Sequence, residues 1–399
     1  MSTAKNEAHR QVISQFFDEF KYRLIAISHD IHNRPEIGNK EYFASQTLCS
    51  FLKEHDFEVT VNVAGHPTGF IAKRKSAKPG PVFGFLAEYD ALPGLGHACG
   101  HNIIGTASVS AGIALSKVLE EIGGEVIVFG TPAEEGGPGG SAKGSFVKAG
   151  LFDEVDACAM VHPGALTAVT GPSLAVDPLI FSFYGKAAHA AAAPEKGINA
   201  LDGVIQLFNG INALRQHLPD DVRIHGIITD GGQAPNIVPD YAEAQFFIRA
   251  AKRSTLTEVT RKVIAIAEGA ALATGSRVEV KPLQNEIDEL LINRTFDEVL
   301  AQELEALGEI VLRENPKGLG STDAGNVSQV VPTIHGYIQI GPETLVGHTE
   351  AFREAAVSPK GDQALIKAGK ALAFTGYRVL TEPELLKAIQ RDFHANKGH

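Results

Sequence analysis

The stretch Ala87-Glu-Tyr-Asp-Ala-Leu-Pro-Gly-Leu-Gly-His-Ala-Cys-Gly-His-Asn102 gathers two carboxylates, two histidines and a thiol, spaced by glycines and a proline. Imidazole, thiolate and carboxylate are the donor set of zinc or a similar divalent ion. Cys99-Gly-His101 puts two such donors on a tight turn, where Gly100 lets the backbone fold closely. Further donors stand at Glu134, Glu135, His162 and His348. Adjacent glutamates leaving a strand point in different directions, so one can ligate an ion while the other holds a water. A bound ion lowers the pKa of water toward ~7, and a neighbouring carboxylate takes the proton during attack. The chemistry these residue types suggest is hydrolysis.

The elements that would position them read as an α/β arrangement. Val82–Ala87, Glu125–Gly130 and Ala157–Val161 are apolar runs separated by helix-compatible segments, which predicts a mostly parallel sheet buried on both faces. Each run is followed at once by polar residues: Glu88 and Asp90, then Glu134 and Glu135, then His162. In open α/β sheets ligands bind beyond the carboxyl ends of the strands, so three strand ends aim donors at one crevice. Taken singly, each residue has a plain structural reading. A lone histidine is usually a core or surface residue, and an isolated buried cysteine behaves as a small hydrophobe. Joint placement carries the inference, and Cys49 and Cys158, which lack it, read as packing residues.

Upstream, apolar positions at helical spacing predict a helix over about 8–32 that stops before Pro35, and a second over 41–54. Phe57–Val61 alternates as a strand should. From about 172 the order becomes strand, helix, strand, strand, helix, strand, which is that of a split βαβ unit. This predicts an inserted α+β domain of ferredoxin-like type over 174–285. Residues 1–173 and 286–399 would then form a discontinuous catalytic domain.

Composition narrows the function. A chain of 399 residues suits two domains, and 44% hydrophobic with 21% charged residues is ordinary for a globular protein. The formal charge of -11 argues against nucleic-acid binding. No secretory signal or membrane-spanning stretch is visible, so a cytoplasmic protein with no membrane partner is expected. Three cysteines do not make a disulfide framework. The glycines of Gly94-Leu-Gly-His-Ala-Cys-Gly100 do not follow the dinucleotide-binding spacing.

Six motifs in order, Glu88-Tyr-Asp-Ala-Leu-Pro93, His97-Ala-Cys-Gly-His101, Pro132-Ala-Glu-Glu-Gly136, Gly185-Lys-Ala-Ala-His189, Asn236-Ile-Val-Pro239 and Gly347-His-Thr349, span most of the chain. With them the chain resembles metallopeptidase family 20, the aminoacylase and carboxypeptidase G family. It is most similar to the branch of aminobenzoyl-glutamate hydrolases and related amidohydrolases and dipeptidases. The resemblance implies a hydrolase of amide bonds in N-acyl amino acids, small peptides or aminobenzoyl-glutamate-like substrates. It implies one or two divalent ions per subunit, zinc or manganese, on Cys99, His101, Glu135, His162 and His348. Glu134 would be the general base, and Asp90 would orient a ligand. The inserted domain would be a lid and the interface of a homodimer or tetramer. His189 would stabilise the oxyanion across that interface, with Asn236 and Arg249 on the substrate. Two departures bear on the ion count: Glu88 stands where many relatives carry a histidine ligand, and Cys99 and His101 where many carry a bridging aspartate. Two other readings keep the same residues: a ureide or aromatic-amine C–N hydrolase, and a metal- or peptide-binding homologue without catalysis.

Overall fold

The computed structural model describes residues 3–315 and 320–397. The chain divides into two compact units, one of Met1–Pro172, Leu290–Leu319 and Asp323–His399, the other of Ser173–Glu289 with Gly320–Thr322. Helix α1 (Thr3–Asn33) ends just before Pro35, and α2 (Tyr42–Glu54) follows. Strands β1 (Glu58–Val63), β2 (His66–Lys75), β3 (Val82–Ala87), β4 (Glu125–Gly130) and β5 (Ala157–Gly164) belong to the first unit, and β6 (Ala175–Tyr184), β7 (Arg223–Asp230), β8 (Tyr241–Ala250) and β9 (Arg277–Pro282) to the second. Strand β10 (Thr333–Gln339) returns to the first.

The first sheet has the order β1-β2-β4-β3-β5-β10. Its β4-β3-β5-β10 portion is parallel, as the buried apolar runs predict, and β1 and β2 add an antiparallel edge. Strand β2 is a feature that hydropathy patterning misses. It is joined to β1 by Ala64-Gly65, both at positive φ (51° and 83°), the backbone of a type I′ hairpin turn. Asparagine or aspartate before the glycine announces such a turn, and alanine does not.

Helix α3 (His101–Ser116) lies against this sheet with residues 101–115 buried. Its small residues explain how close it comes: a Cβ on Gly112 would stand 2.5 Å from Val128 Cγ2, and one on Gly105 would stand 2.6 Å from the Glu88 carbonyl oxygen. The helix therefore starts, at His101, beside the carboxyl end of β3. Parallel register puts Ala87 beside Gly130 and Gly164 beside Gln339, so these strands deliver their carboxyl ends to one edge of the sheet.

The second unit contains an antiparallel sheet of order β7-β8-β6-β9, with helices Ala200–Leu214 and Arg253–Thr274 forming its core with Phe181, Phe183 and Phe246. This is the split βαβ arrangement expected from the sequence. Among the described residues no helix is long and apolar enough to cross a membrane.

Because α3 is placed by packing on β3 and β4, truncation there should be costly. Phe85→Ala, at a fully buried position, is expected to lose about 3–5 kcal/mol in denaturant titration, whereas Val61→Ala, at a position 53% exposed on β1, should stay within about 1 kcal/mol.

Candidate metal centre

The turn before α3 is set by sterics. Gly100 has φ +77°, and a Cβ there would stand 2.4 Å from Pro163 Cγ. Only glycine lets the turn approach the end of β5, where His162 projects. Cys99 Sγ consequently lies 3.4 Å from His162 Nε2. His162 donates Nδ1–H to the Pro163 carbonyl at 2.6 Å, which leaves Nε2 as the lone-pair nitrogen facing the thiol. Burial pushes the His162 pKa down to about 4, so the ring is neutral near pH 7, as a ligand must be.

His101, fully buried, bonds through Nδ1 to Asp90 Oδ1 at 3.0 Å and likewise leaves Nε2 bare. The other Asp90 oxygen accepts the Glu135 backbone N–H at 2.9 Å. One buried carboxylate thus joins the first residue of α3 to the turn after β4. That turn is itself held in a strained form. Ala133 sits at φ +59°, and its N–H is donated to Glu41 Oε1 at 2.9 Å, while Glu41 Oε2 accepts the Thr68 hydroxyl at 2.7 Å. Glu135 Oε1, buried and without a hydrogen-bond partner, stands 3.4 Å from His348 Nε2. His348 reaches this position by pairing its own N–H with the Ala98 carbonyl at 3.0 Å and by adopting φ +60°.

Among the described residues three groups of donors lie close enough to hold an ion: Cys99, His101 and His162; Cys99, Glu135 and His348; and Glu88, His101 and Glu134. A metal fits them on two grounds. Leaving a buried polar atom unpaired costs about 1–3 kcal/mol, yet His101 Nε2, Glu135 Oε1 and Glu88 Oε2 are all bare. Donors sharing one tetrahedral ion at about 2.0–2.3 Å also stand roughly 3.3–3.7 Å apart, the spacing found for Cys99 with His162 and for Glu135 with His348.

The electrostatics call for a cation: burial lowers the His101 pKa, but Asp90 and Cys99 raise it well above the usual imidazole value, so without an ion the ring carries a proton that an ion on Nε2 would replace. Burial, then the Glu88 and Glu135 carboxylates, raise the Glu134 pKa, the condition for a base working near neutral pH. Burial and Glu135 also push the Cys99 thiol up, so without a cation it is a poor nucleophile. A cysteine hydrolase built on Cys99 and His101 has no support from this environment.

The structure brings together Cys99, His101, Glu134, Glu135, His162 and His348, with Asp90 behind them. His97 is buried nearby but belongs to none of the three groups, and burial pushes its pKa down to about 3. His189, Asn236 and Arg249 belong to the second unit. His189 and Asn236 are exposed and adjacent, through the pairing of Ala190 N–H with the Asn236 carbonyl at 3.1 Å. Arg249 donates to Ser321 Oγ at 2.6 Å and to His225 Nε2 at 3.2 Å. Beside His348, an open cleft of about 410 Å³ is lined by Tyr337, Leu345, Val346, Gly347 and Phe352. Glu41, Lys143 and Asp323 also matter to the site, and no local motif marks them.

Comparison with known proteins identifies the family. Residues 179–274 match the peptidase dimerisation domain. The chain is 37% identical over 401 residues to the Xaa-Arg dipeptidase of Homo sapiens, covering 95% of this chain and 91% of that one. It is 37% identical over 323 residues to a p-aminobenzoyl-glutamate hydrolase chain of Escherichia coli strain K12, covering 75% and 66%. A solved dinuclear metal-binding peptidase of the M20 family from Bacillus subtilis superposes with a TM-score of 0.66 at 22% identity, over 92% of this chain and 99% of that one. A parallel sheet whose strand ends gather Cys, His and Glu donors suits a metallohydrolase. The chain belongs to the M20 peptidases, metal-dependent hydrolases of amide bonds.

Gly100→Ala is expected to displace Cys99 from His162 and weaken zinc binding by at least about tenfold in chelator competition, with overall secondary structure retained by circular dichroism.

Proposed function

We propose that this enzyme cleaves the amide bond of dipeptides or N-acyl amino acids, with Glu134 as general base and one or two divalent ions, zinc or manganese, that Cys99, His101, Glu135, His162 and His348 would hold. One ion would rest on Cys99, His101 and His162, and a second on Cys99, Glu135 and His348. The observation that carries this reading is the pair of ligand groups meeting at one thiol beside a carboxylate of raised pKa. When bound, the ions supply an acidified water and polarise the scissile carbonyl.

Each side chain then has a defined task. Glu134, with one oxygen 3.8 Å from His101 Nε2, takes a proton from the attacking water and returns it to the leaving amine. Asp90 holds the His101 ring and the Glu135 backbone in place. The apolar cleft of Tyr337, Leu345, Val346 and Phe352 receives a substrate side chain. Arg249 clamps the substrate carboxylate, Asn236 donates to its amide, and His189 donates to the developing oxyanion. Likeness to the peptidase dimerisation domain supports a homodimer through the second unit, as do the exposed Ile227 (63%) and Ile228 (46%) of the edge strand β7. His189 would act in the partner's site. Similarity to the Xaa-Arg dipeptidase over 95% of this chain supports dipeptides as the first substrates to screen, with aminobenzoyl-glutamate second.

Glu134→Gln is expected to keep its metal, measured by elemental analysis, while kcat falls by about 10³-fold or more. Turnover near the wild-type rate would remove Glu134 from the role of base. Mixing Glu134→Gln with His189→Ala, each nearly inactive, should restore up to about a quarter of the wild-type rate through hybrid dimers carrying one intact site. No recovery in verified heterodimers would confine His189 to its own subunit.

A further inference from the structure

A lysine is almost never fully buried unless its ammonium is paired. Lys143 follows the glycine-rich segment after Glu135 and has no solvent exposure. Its Nζ donates to Glu88 Oε1 and to Asp323 Oδ1, both at 2.6 Å, and its backbone N–H donates to Asp323 Oδ2 at 3.1 Å. Glu88 and Asp323 are buried as well, and the two carboxylates hold Lys143 as an ammonium. Asp323 fixes the lysine at two points, and the lysine in turn fixes one oxygen of Glu88.

The other oxygen is the informative one. Glu88 Oε2 is buried, has no hydrogen-bond partner, and stands 3.4 Å from His101 Nε2, which is equally bare. Both faces of the imidazole edge therefore meet a carboxylate: Asp90 takes Nδ1, and Glu88 stands opposite Nε2. At 3.4 Å the pair is too long for a good N–H···O hydrogen bond, whose range is about 2.7–3.2 Å. It matches the roughly 3.4 Å between two donors on one tetrahedral ion. A nitrogen lone pair binds a single ion, so the Cys99–His101–His162 and Glu88–His101–Glu134 groups surround one ion and not two.

We propose that Glu88 is a further ligand of the ion on His101, and that Lys143 is the positioning residue that presents it. This rests on the two-ion reading of the site. It also gives the Lys143–Glu88–Asp323 triad a purpose that stability alone does not supply, because a buried ion network seldom outperforms apolar packing. With its outer oxygen held by a fixed ammonium, Glu88 has no freedom to swing away, and its inner oxygen is committed to the site.

The test is zinc affinity of the full-length protein, read by competition with a chromophoric chelator. Wild type should take up two Zn²⁺ per subunit in two resolvable steps, and His348→Ala should weaken one of them. Glu88→Gln leaves Lys143 balanced by Asp323, and Glu88→Asp keeps the charge but draws the oxygen back by one methylene. Each should weaken the other step by roughly 10–100-fold while leaving the His348 step unchanged. Lys143→Met should weaken the same step, and Lys143→Met combined with Glu88→Gln should be no worse than the more affected single variant, since both act through one carboxylate. Folding of each variant is checked by circular dichroism, and Glu88→Asp carries the test should Lys143→Met not fold. Two zinc steps of wild-type affinity in folded Glu88→Gln and Glu88→Asp overturn the proposal and leave the triad as a structural clamp. Failure of the wild type to bind zinc or manganese at all would instead overturn the two-ion reading.

Discussion

Everything at the site depends on what the Asp90 carboxylate joins. One oxygen fixes the His101 ring at the first turn of α3, and the other captures the Glu135 backbone just after β4. These segments leave different strands, and only a group between them can set their spacing. The bond to Nδ1 also selects the tautomer, leaving Nε2 bare toward the other donors. Because Asp90 is buried, these contacts are made in a low-dielectric setting where they are strong and their loss is costly.

Around this bridge the chain accepts local costs. Ala133 and His348 both occupy left-handed backbone conformations, and each is held by a specific hydrogen bond, to Glu41 and to Ala98. Glu88, Glu134, Glu135 and Asp90 converge within a small volume, and their mutual repulsion is met on one side by Lys143. Charge crowded in this way would destabilise an ordinary core. Burial and the same crowding raise the Glu134 pKa, and the cluster presents the negative potential that a cation would meet. The stability is recovered elsewhere, in the aromatic and aliphatic packing of α3 and the Pro359–Thr381 helix on the parallel sheet.

Much of this was legible in the sequence, and the limits have a physical pattern. The parallel strands, the split βαβ unit and the His97-Ala-Cys-Gly-His101 turn are local features, each written in consecutive residues. Glu134 and Glu135 could be read because they follow a buried strand directly. What escaped depends on partners distant along the chain. Lys143 looks like a solvated lysine in a glycine-rich segment, and only Asp323, far downstream, reveals otherwise. Glu41 looks like an acidic residue ahead of a helix, and its contact with Ala133 is equally remote. Strand β2 escaped for a local reason, since Ala64-Gly65 forms its turn without the asparagine or aspartate that usually marks one. His189, Asn236 and Arg249 are marked by family resemblance alone: His189 and Asn236 are exposed, and Arg249 is a half-buried strand residue paired with Ser321 and His225.

The proposed metal centre stands or falls with Cys99 as a thiolate ligand. X-ray absorption spectroscopy at the zinc edge of the metal-loaded protein tests it most directly, because sulfur scatters distinctly from nitrogen and oxygen. About one sulfur per zinc is expected at ~2.3 Å, with nitrogen and oxygen neighbours at about 2.0–2.2 Å. A zinc environment of nitrogen and oxygen alone would contradict it.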